Sequence, residues 1–326
     1  MKTLAKTARD VGVSALGFSA VLALALAFGG PSAPPAHAEL RAAFDKADLS
    51  GAPETKIFTA RDGAQLAFRR YGDEGRIAVL LHGSGGAGAS LHRLAVALAE
   101  AGRQVIVPDI RGHGASGARG DMDYIGQAED DIDDLLDHLA ASEGAGPRDF
   151  VGFSIGGGLA LRYAANRGAT IDRLILISPY LAHDAPPTTV AAKAEDYVVW
   201  AEAGVPRIVA LAALNSVGVT ALNGLEVIRL AVDPRDEGVL TPGYSYRLMT
   251  SVNPANWRAD LAATADKLTI VASDADELHA LAGFREALDE YAPEARLIAA
   301  AGASHIELIL SDAAIATVVE AVESGK

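Results

Sequence analysis

Short apolar segments that alternate with longer amphipathic segments constrain this chain more than any other feature of its sequence. Each apolar segment is four or five residues long, the length of a buried strand: Ile77–Leu81, Gln104–Pro108, Phe150–Phe153, Leu174–Ile177, Leu268–Ala272 and Arg296–Ala300. Apolar residues at helical spacing follow at about 89–101, at 124–139 and after Asp312. Because successive parallel strands need helical crossovers, the alternation predicts an α/β fold, a mostly parallel sheet with helices on both faces.

Composition narrows the chemistry that such a fold can carry. The 326 residues contain no cysteine, which excludes disulfides, cysteine-ligated zinc, iron–sulfur clusters and a cysteine nucleophile. The formal net charge of −14 and the lack of a basic patch argue against a nucleic-acid partner. We therefore expect a small-molecule substrate, and no motif in the sequence calls for a metal or another cofactor.

The first 38 residues have the organisation of an export signal. Residues 1–9 carry three basic side chains, 11–28 carry no charge, 29–35 are rich in glycine and proline, and Ala36-His37-Ala38 fits signal peptidase. The sequence predicts cleavage before Glu39. The apolar run is long for a signal, and the alternative is therefore an uncleaved anchor. Such an anchor would be the only membrane contact expected. Both interpretations export the chain across the cytoplasmic membrane, as a periplasmic or secreted protein or as an anchored one facing outward.

The remaining chain divides into a core that is interrupted once. Residues 39–55 are predicted to be a linker, 56–180 the first part of the core and 267–326 its second part. Between them, 181–266 breaks the alternation of strands and helices, and we interpret this segment as an inserted helical cap. Four of its apolar side chains are candidates for lining a pocket for an acyl chain: Trp200, Leu211, Leu214 and Leu222.

A glycine-rich loop after the first core strand has two interpretations. Gly83–Gly88 matches G-x-G-x-x-G, and Asp109 follows the next strand, as in a dinucleotide-binding oxidoreductase. The other interpretation is a loop whose backbone N–H groups stabilise an oxyanion. His82 is usual before such a loop, and the Tyr-x-x-x-Lys pair of a short-chain dehydrogenase does not follow. The second interpretation is favoured, and His82 is then a brace for the loop.

Gly152-Phe153-Ser154-Ile155-Gly156 matches the G-x-S-x-G pattern of a nucleophilic serine. The pattern alone is weak, but it lies between a predicted strand and a predicted helix, where a nucleophile elbow belongs. At such an elbow, side chains two residues before and after the serine would collide with neighbouring backbone, which explains Gly152 and Gly156. Ser154 is therefore the candidate nucleophile.

A serine nucleophile requires a histidine base further along the chain, with an acid between the two. His305 follows the last predicted strand and is better placed than His183 or His279, for which we expect ordinary surface roles. The acid is sought after Leu268–Ala272, where Asp276 is favoured and Asp274 stays open. Asp276 would orient His305, and the backbone N–H groups of two residues would form the oxyanion hole: Ser84 and Ile155.

Three blocks of sequence resemble the α/β-hydrolase superfamily and, within it, the monoglyceride lipase/lysophospholipase-like group. They are His82–Gly86, Asp109–Ser116 and Gly152–Gly157, and the similarity spans roughly 56–180 and 267–310. One departure is Ser273, where the group usually has glycine. The resemblance implies hydrolysis of a carboxylic ester, such as a monoacylglycerol or lysophospholipid, through an acyl-enzyme on Ser154.

Two alternatives share the same fold and the same residues. An acyltransferase would use the same triad and replace water with an alcohol. A non-catalytic binding protein would keep the fold without the chemistry. The intact triad favours an enzyme, and the presence of serine at the elbow argues against the carboxylate-nucleophile enzymes that the fold also supports.

Overall fold

The predicted strands pair into one large sheet. The structure is a computed structural model that describes residues 17, 19–36, 50–144, 146, 148–168, 171–195, 197–236 and 240–324. Its strands are β1 (Lys56–Thr59), β2 (Gln65–Tyr71), β3 (Arg76–Leu81), β4 (Arg103–Pro108), β5 (Arg148–Phe153), β6 (Ile171–Ile177), β7 (Ala201–Ala203), β8 (Glu226–Leu230), β9 (Gly243–Ser245), β10 (Leu268–Ala272) and β11 (Arg296–Ala299).

Eight of these strands lie in the order β1-β2-β4-β3-β5-β6-β10-β11. From β4 to β11 every pairing is parallel, whereas the hairpin β1–β2 is antiparallel to its neighbours. The α/β prediction is therefore confirmed. Since parallel strands bring their carboxyl ends to one edge, the loops after β3, β5, β6, β10 and β11 meet there.

Helices cover both faces of the sheet. They are α1 (19–28), α2 (His92–Glu100), α3 (Gln127–Glu143), α4 (Ile155–Asn166), α5 (Pro186–Ala191), α6 (Val205–Ser216), α7 (Tyr246–Val252), α8 (Trp257–Thr264), α9 (Leu281–Tyr291), α10 (Glu307–Leu310) and α11 (Asp312–Glu323). Successive strand residues point to opposite faces. Leu80 therefore packs with Leu94 and Val318 on one face, while Val79 packs with Leu135 and Leu159 on the other.

The segment 181–266 is not the purely helical cap that the sequence predicts. It contains α5 to α8, but β7, β8 and β9 form a second, antiparallel sheet within it. Glu226–Leu230 is a strand that pairs with both β7 and β9, and two of its side chains, Val227 and Leu230, are buried. The last helix of the segment, α8, belongs to the body, since Leu261 packs in the core of the main sheet.

The amino-terminal segment lies partly within the described structure. Residues 19–28 form α1, and the chain continues without regular structure to residue 36. The predicted cleavage position at Ala38 and most of the predicted linker, 39–49, lie outside the described residues. Within the described part of the chain, no helix combines the length and apolar character needed to cross a membrane.

Candidate active site

Ser154 occupies a strained turn between β5 and α4. Its backbone has φ 53° and ψ −119°, a region that residues with a side chain rarely adopt. The turn is held by hydrogen bonds, because Ser154 N donates to Ile177 O at 3.0 Å and Ser154 O accepts from Gly157 N and Tyr180 N at 2.9 Å. Such strain persists only where its surroundings enforce it, and it often marks a functional residue.

Glycines on both sides of Ser154 make this turn possible. A Cβ atom at Gly152 would lie 2.5 Å from Gly156 O, and one at Gly156 would collide with His82 O. A Cβ atom at Gly157 would lie 2.8 Å from Pro179 Cβ, and therefore α4 also needs glycine to approach the chain after β6. The collisions expected from the sequence pattern are thus present.

His305 and Asp276, both predicted from the sequence, are in direct contact. The Nδ1–H group of His305 donates to Asp276 Oδ2 at 2.9 Å, which leaves Nε2 of His305 available as a base. The His305 ring also packs beside the elbow, with its centroid 4.8 Å from that of Phe153. Both residues are buried, and their two loops follow β10 and β11.

Asp276 is held as a carboxylate by a dense set of donors. Oδ1 accepts from the backbone N–H of Leu278 at 2.8 Å and of His279 at 2.9 Å, and Oδ2 accepts from Ser178 Oγ in a short hydrogen bond. Burial raises the pKa of Asp276. The charge of His305 and the hydrogen bonds from His305 and Ser178 have a larger, opposite effect, so that the pKa ends well below its usual range. Asp276 can therefore orient and stabilise a protonated His305.

The other candidate acid, Asp274, lies elsewhere. It is exposed and accepts a hydrogen bond from the backbone N–H of Gly302 at 2.8 Å, which joins the loops after β10 and β11. That contact is structural, and the geometry favours Asp276 as the partner of His305.

The pKa of His305 rises above its ordinary value. Burial lowers this pKa, but the charge of Asp276, the hydrogen bond to it and the charge of Glu277 raise it more. Glu277 also accepts the backbone N–H of His305 at 2.8 Å. His305 is therefore tuned as a stronger base than a free histidine.

Sequence reasoning missed two neighbours of this pair, Ser178 and His279. His279 was expected at the surface, but it is 5% exposed and its ring centroid lies 5.1 Å from that of His305. Its Nδ1–H donates to Ser178 O at 3.1 Å, and burial lowers its pKa to about 4. The one signal available for Ser178 was its position directly after a core strand.

Three of these side chains have the spacing of a metal site. Asp276, His279 and His305 place potential ligands within 4.8 Å of one another. However, Nδ1 of each histidine donates to an oxygen of the protein, to Ser178 O or to Asp276 Oδ2. The cluster is better explained as a hydrogen-bonded support of His305.

The predicted oxyanion loop lies against the elbow and is held by the cap. A Cβ atom at Gly83 would lie 3.4 Å from Ser154 Cβ, which shows how closely the loop approaches the serine. Gly85 N donates to Tyr244 Oη at 2.8 Å, and Thr241 N donates to Gly85 O at 2.8 Å. The indole N–H of Trp200 donates to Ser84 Oγ at 2.6 Å. Three cap residues thus position this loop.

The second predicted oxyanion donor is the backbone N–H of Ile155. Ile155 is the first residue of α4, and the first N–H groups of a helix have no acceptor within the helix. The helix dipole also favours negative charge at this end. Ile155 directly follows Ser154, and Ser84 directly follows Gly83, which lies against the serine. The backbone N–H groups of Ser84 and Ile155 stay the predicted oxyanion donors.

The structure argues against the dinucleotide interpretation of the glycine-rich loop, because Asp109 is already hydrogen-bonded within the protein. Asp109, which would bind a ribose, is buried and accepts from Gly88 N at 2.8 Å and from Ala115 N at 2.9 Å. Ile110 N donates to His82 Nε2 at 3.0 Å, and His82 Nδ1–H then donates to Gly83 O at 2.9 Å. His82 and Asp109 brace the loop from inside the protein.

The loop Asp109–Ser116 connects the body to the cap. Arg111 forms a buried, two-pronged ion pair with Asp131, at 2.7 and 2.8 Å. His113 Nε2 hydrogen-bonds Tyr244 Oη at 2.9 Å, and burial lowers the pKa of His113 to about 3. This block therefore connects the body to the cap residue that holds Gly85.

The sheet order, the elbow and the order of the serine, acid and histidine along the chain define an α/β hydrolase. The family model described as serine aminopeptidase, S33, matches residues 73–310, and the chain belongs to this family. Lipase LipV of Mycobacterium tuberculosis is 37% identical over 123 residues, which cover 36% of this chain and 43% of LipV. The match thus spans less than half the length of that relative.

Two solved structures share the fold at low sequence identity. A monoacylglycerol lipase of Paleococcus ferrophilus superposes with a TM-score of 0.56 at 22% identity, over 78% of this chain and 97% of that one. A soluble variant of monoglyceride lipase from Saccharomyces cerevisiae gives 0.58 at 19% identity, over 84% and 94%.

Proposed function

We propose that this protein is an exported serine hydrolase that cleaves a carboxylic ester through an acyl-enzyme on Ser154. The observation that carries the proposal is the hydrogen bond from His305 Nδ1–H to Asp276 beside a serine held at φ 53°. This arrangement leaves His305 Nε2 to accept the proton of Ser154 as the serine oxygen attacks the ester carbonyl carbon.

The reaction then proceeds in two balanced halves. Protonated His305 returns its proton to the alcohol oxygen as the ester bond breaks, which leaves the acyl group on Ser154 and releases the alcohol. His305 next accepts a proton from water as the water oxygen attacks the acyl carbon. Protonated His305 then gives that proton to Ser154 Oγ as the acyl–oxygen bond breaks, which releases the carboxylic acid and restores Ser154. In both halves the N–H groups of Ser84 and Ile155 stabilise the oxyanion, at about 3–4 kcal/mol for each donor.

The proposed substrate is a lipid ester such as a monoacylglycerol or a lysophospholipid. This proposal is supported by the apolar character of the cap and by the similarity to LipV and to the two monoacylglycerol lipases. Of the four candidate lining residues, Trp200 contacts the oxyanion loop, Leu211 is buried in the cap cluster, Leu214 is half-buried and Leu222 is exposed. Trp200 is therefore the lining residue closest to the chemistry.

A panel of substrates tests this proposal. Purified full-length protein is assayed with glycerol monoesters and 4-nitrophenyl esters of increasing acyl length and, because of the family's description, with aminoacyl amides. We expect ester cleavage, abolished in Ser154→Ala and unchanged in Ser324→Ala, which removes an exposed hydroxyl after α11. Adding a primary alcohol separates hydrolysis from acyl transfer.

Labelling with a fluorophosphonate probe addresses the serine itself. Wild-type protein and Ser324→Ala should be labelled, and Ser154→Ala should not. Equal labelling of Ser154→Ala would overturn the assignment of the nucleophile. No labelling of the wild type would favour a binding protein on the hydrolase fold.

A further inference from the structure

The amino-terminal segment is attached to the cap by one arginine. Arg207, in the first turn of α6, directs its guanidinium to the last residues of α1: Nε donates to Leu26 O at 2.9 Å, and Nη2 donates to Ala27 O at 3.3 Å. Nη1 donates to Glu226 O at 2.7 Å within the cap. The backbone N–H of Arg207 donates to Gly29 O at 3.3 Å, and thus the same residue holds the exit of α1 as well.

Gly204 in the cap and Gly30 after α1 allow the backbones of these two segments to come into contact. A Cβ atom at Gly204 would lie 2.7 Å from Gly29 O, and one at Gly30 would lie 2.5 Å from Arg207 Nη1. Leu26 packs against the cluster that contains Leu211. The contact is therefore formed by fitted backbone, hydrogen bonds and apolar packing together.

The outer side of this contact is apolar. On α1, the side chains of Val21, Leu24 and Phe28 point outward, with Phe28 82% exposed. On the cap, Val205 and Val209 of α6 and the following turn continue this surface, with Val217 73% exposed. Contiguous apolar surface of this kind marks a contact with a partner or a membrane.

The charge pattern favours a membrane as the partner of this apolar surface. No charged residue occurs between 19 and 36 or between 208 and 225, and Arg207, the cation directly before the second of these stretches, is used in the contact with α1. The run without charge begins at residue 11 and follows three basic residues, a pattern that matches a bilayer and its headgroups. A protein partner would be expected to meet polar groups around such a patch.

We infer that α1 stays on the mature protein and that α1 and the exposed cap surface, residues 205–222, form one face that lies against a phospholipid bilayer. This inference extends the proposed function, on which it rests for the nature of the substrate. Gly204 is only four residues after Trp200, which bonds Ser84 in the oxyanion loop. A lipid ester would thus reach the site through the same cap segment that contacts the membrane.

Intact mass spectrometry tests whether α1 is retained. The full chain is produced in a bacterial host that exports it, and the protein is purified from the membrane fraction and from the soluble extracytoplasmic fraction. We expect a chain that still contains residues 19–36, in the membrane fraction. A mature protein that begins at Glu39 would overturn the inference.

The absence of native cysteine allows a direct test of the lipid-facing surface. Single cysteines at Val209, Val217 and, as a control on the opposite part of the body, Glu320 are labelled with an environment-sensitive fluorophore. With phosphatidylglycerol/phosphatidylethanolamine vesicles, we expect a blue shift and quenching by spin-labelled lipid at Val209 and Val217, and neither at Glu320. A blue shift without vesicles that grows with protein concentration would indicate a second copy of the chain and overturn the inference, as would no change.

Two variants test the contact itself. Arg207→Met removes the hydrogen bonds to α1, and Gly204→Ala places a methyl group against Gly29 O. Both should speed proteolytic removal of residues 1–50 in detergent about tenfold. The matched control, Arg229→Met, removes a cap arginine that pairs with Glu226 instead, and it should not. Equal rates in all four proteins would contradict the contact.

Fluorophosphonate labelling of the same samples separates this inference from the proposed function. Labelled Ser154 in a protein that lacks α1 would leave the hydrolase intact and remove only the membrane-facing surface. Unlabelled protein that retains α1 would contradict the proposed function and leave the membrane-facing surface intact.

Discussion

The two halves of the proposed site are held by different parts of the molecule. Asp276 and His305 are supported by Ser178 and His279, and all four residues follow strands of the main sheet. The oxyanion loop also follows a strand of this sheet, but three of its hydrogen bonds go to Trp200, Thr241 and Tyr244 of the cap.

This difference separates two functions of the fold. The acid–base half is held by loops of the parallel sheet, and a backbone hydrogen bond from Ala280 N to Pro187 O at 3.0 Å connects it to the cap. The oxyanion half is complete only when the cap contacts it, and cap movement should therefore change transition-state stabilisation and leave the basicity of His305 unchanged. The predictions below test that separation.

The largest effect is expected in the acid–base half. Asp276→Asn removes the charge that stabilises protonated His305, and kcat should fall about 10⁴-fold, as for other triad acids. Asp274→Asn is the matched control and should retain near wild-type kcat, because Asp274 only bonds Gly302 N. A larger loss in Asp274→Asn would show that the acid is wrongly assigned.

Removal of the Tyr244 hydroxyl, which lies in the cap, should impair the oxyanion half. Tyr244→Phe leaves Gly85 N without its acceptor, and we expect kcat to fall about 10- to 100-fold through misplacement of the loop. The apparent pKa of the acidic limb of the pH–rate profile should not move. Tyr246→Phe, in the separate cap cluster with Leu211, is the control. An unchanged kcat in Tyr244→Phe would show that the loop does not need the cap.

Trp200→Phe should give a smaller effect of the same kind. It removes the donor to Ser84 Oγ but leaves an aromatic ring in the cap. We expect about a two- to fivefold loss in kcat/KM, consistent with the loss of one hydrogen bond. A change in acyl-length preference without loss of rate would instead assign Trp200 to substrate binding alone.

The smallest effect is a shift in pH dependence. The charge of Glu277 raises the pKa of His305, and His305 must be neutral to act as a base. Glu277→Gln should therefore lower the pKa of the acidic limb of kcat/KM and increase relative activity at acidic pH. Glu290→Gln, on the exposed side of α9, is the control. If the pKa of the acidic limb rises in Glu277→Gln, the charge of Glu277 does not raise the pKa of His305.

The fold and three of the site residues follow from local patterns. Strand ends after apolar segments located Ser154, Asp276 and His305, because parallel strands bring their carboxyl ends to one edge. The sequence also favoured Asp276 over Asp274, but only the structure places its carboxylate against His305.

The supporting residues had no comparable pattern. His279 begins no recognisable motif, and its burial depends on the packing of the chain around β6 and β10. The contacts of Tyr244 with Gly85 and His113 join residues more than 130 positions apart, and no local rule predicts them. The small sheet of the cap was missed because its strands are short and β7 and β9 have only three residues each.

The most direct measurement is the detection of the acyl-enzyme. The full-length protein is mixed with a medium-chain 4-nitrophenyl ester, quenched in acid within the first turnovers, digested and analysed by mass spectrometry. The account predicts an added acyl mass on the peptide that contains Ser154, and its absence in Ser154→Ala. An acyl group on another residue, or ester turnover that persists in Ser154→Ala at the wild-type rate, would contradict it.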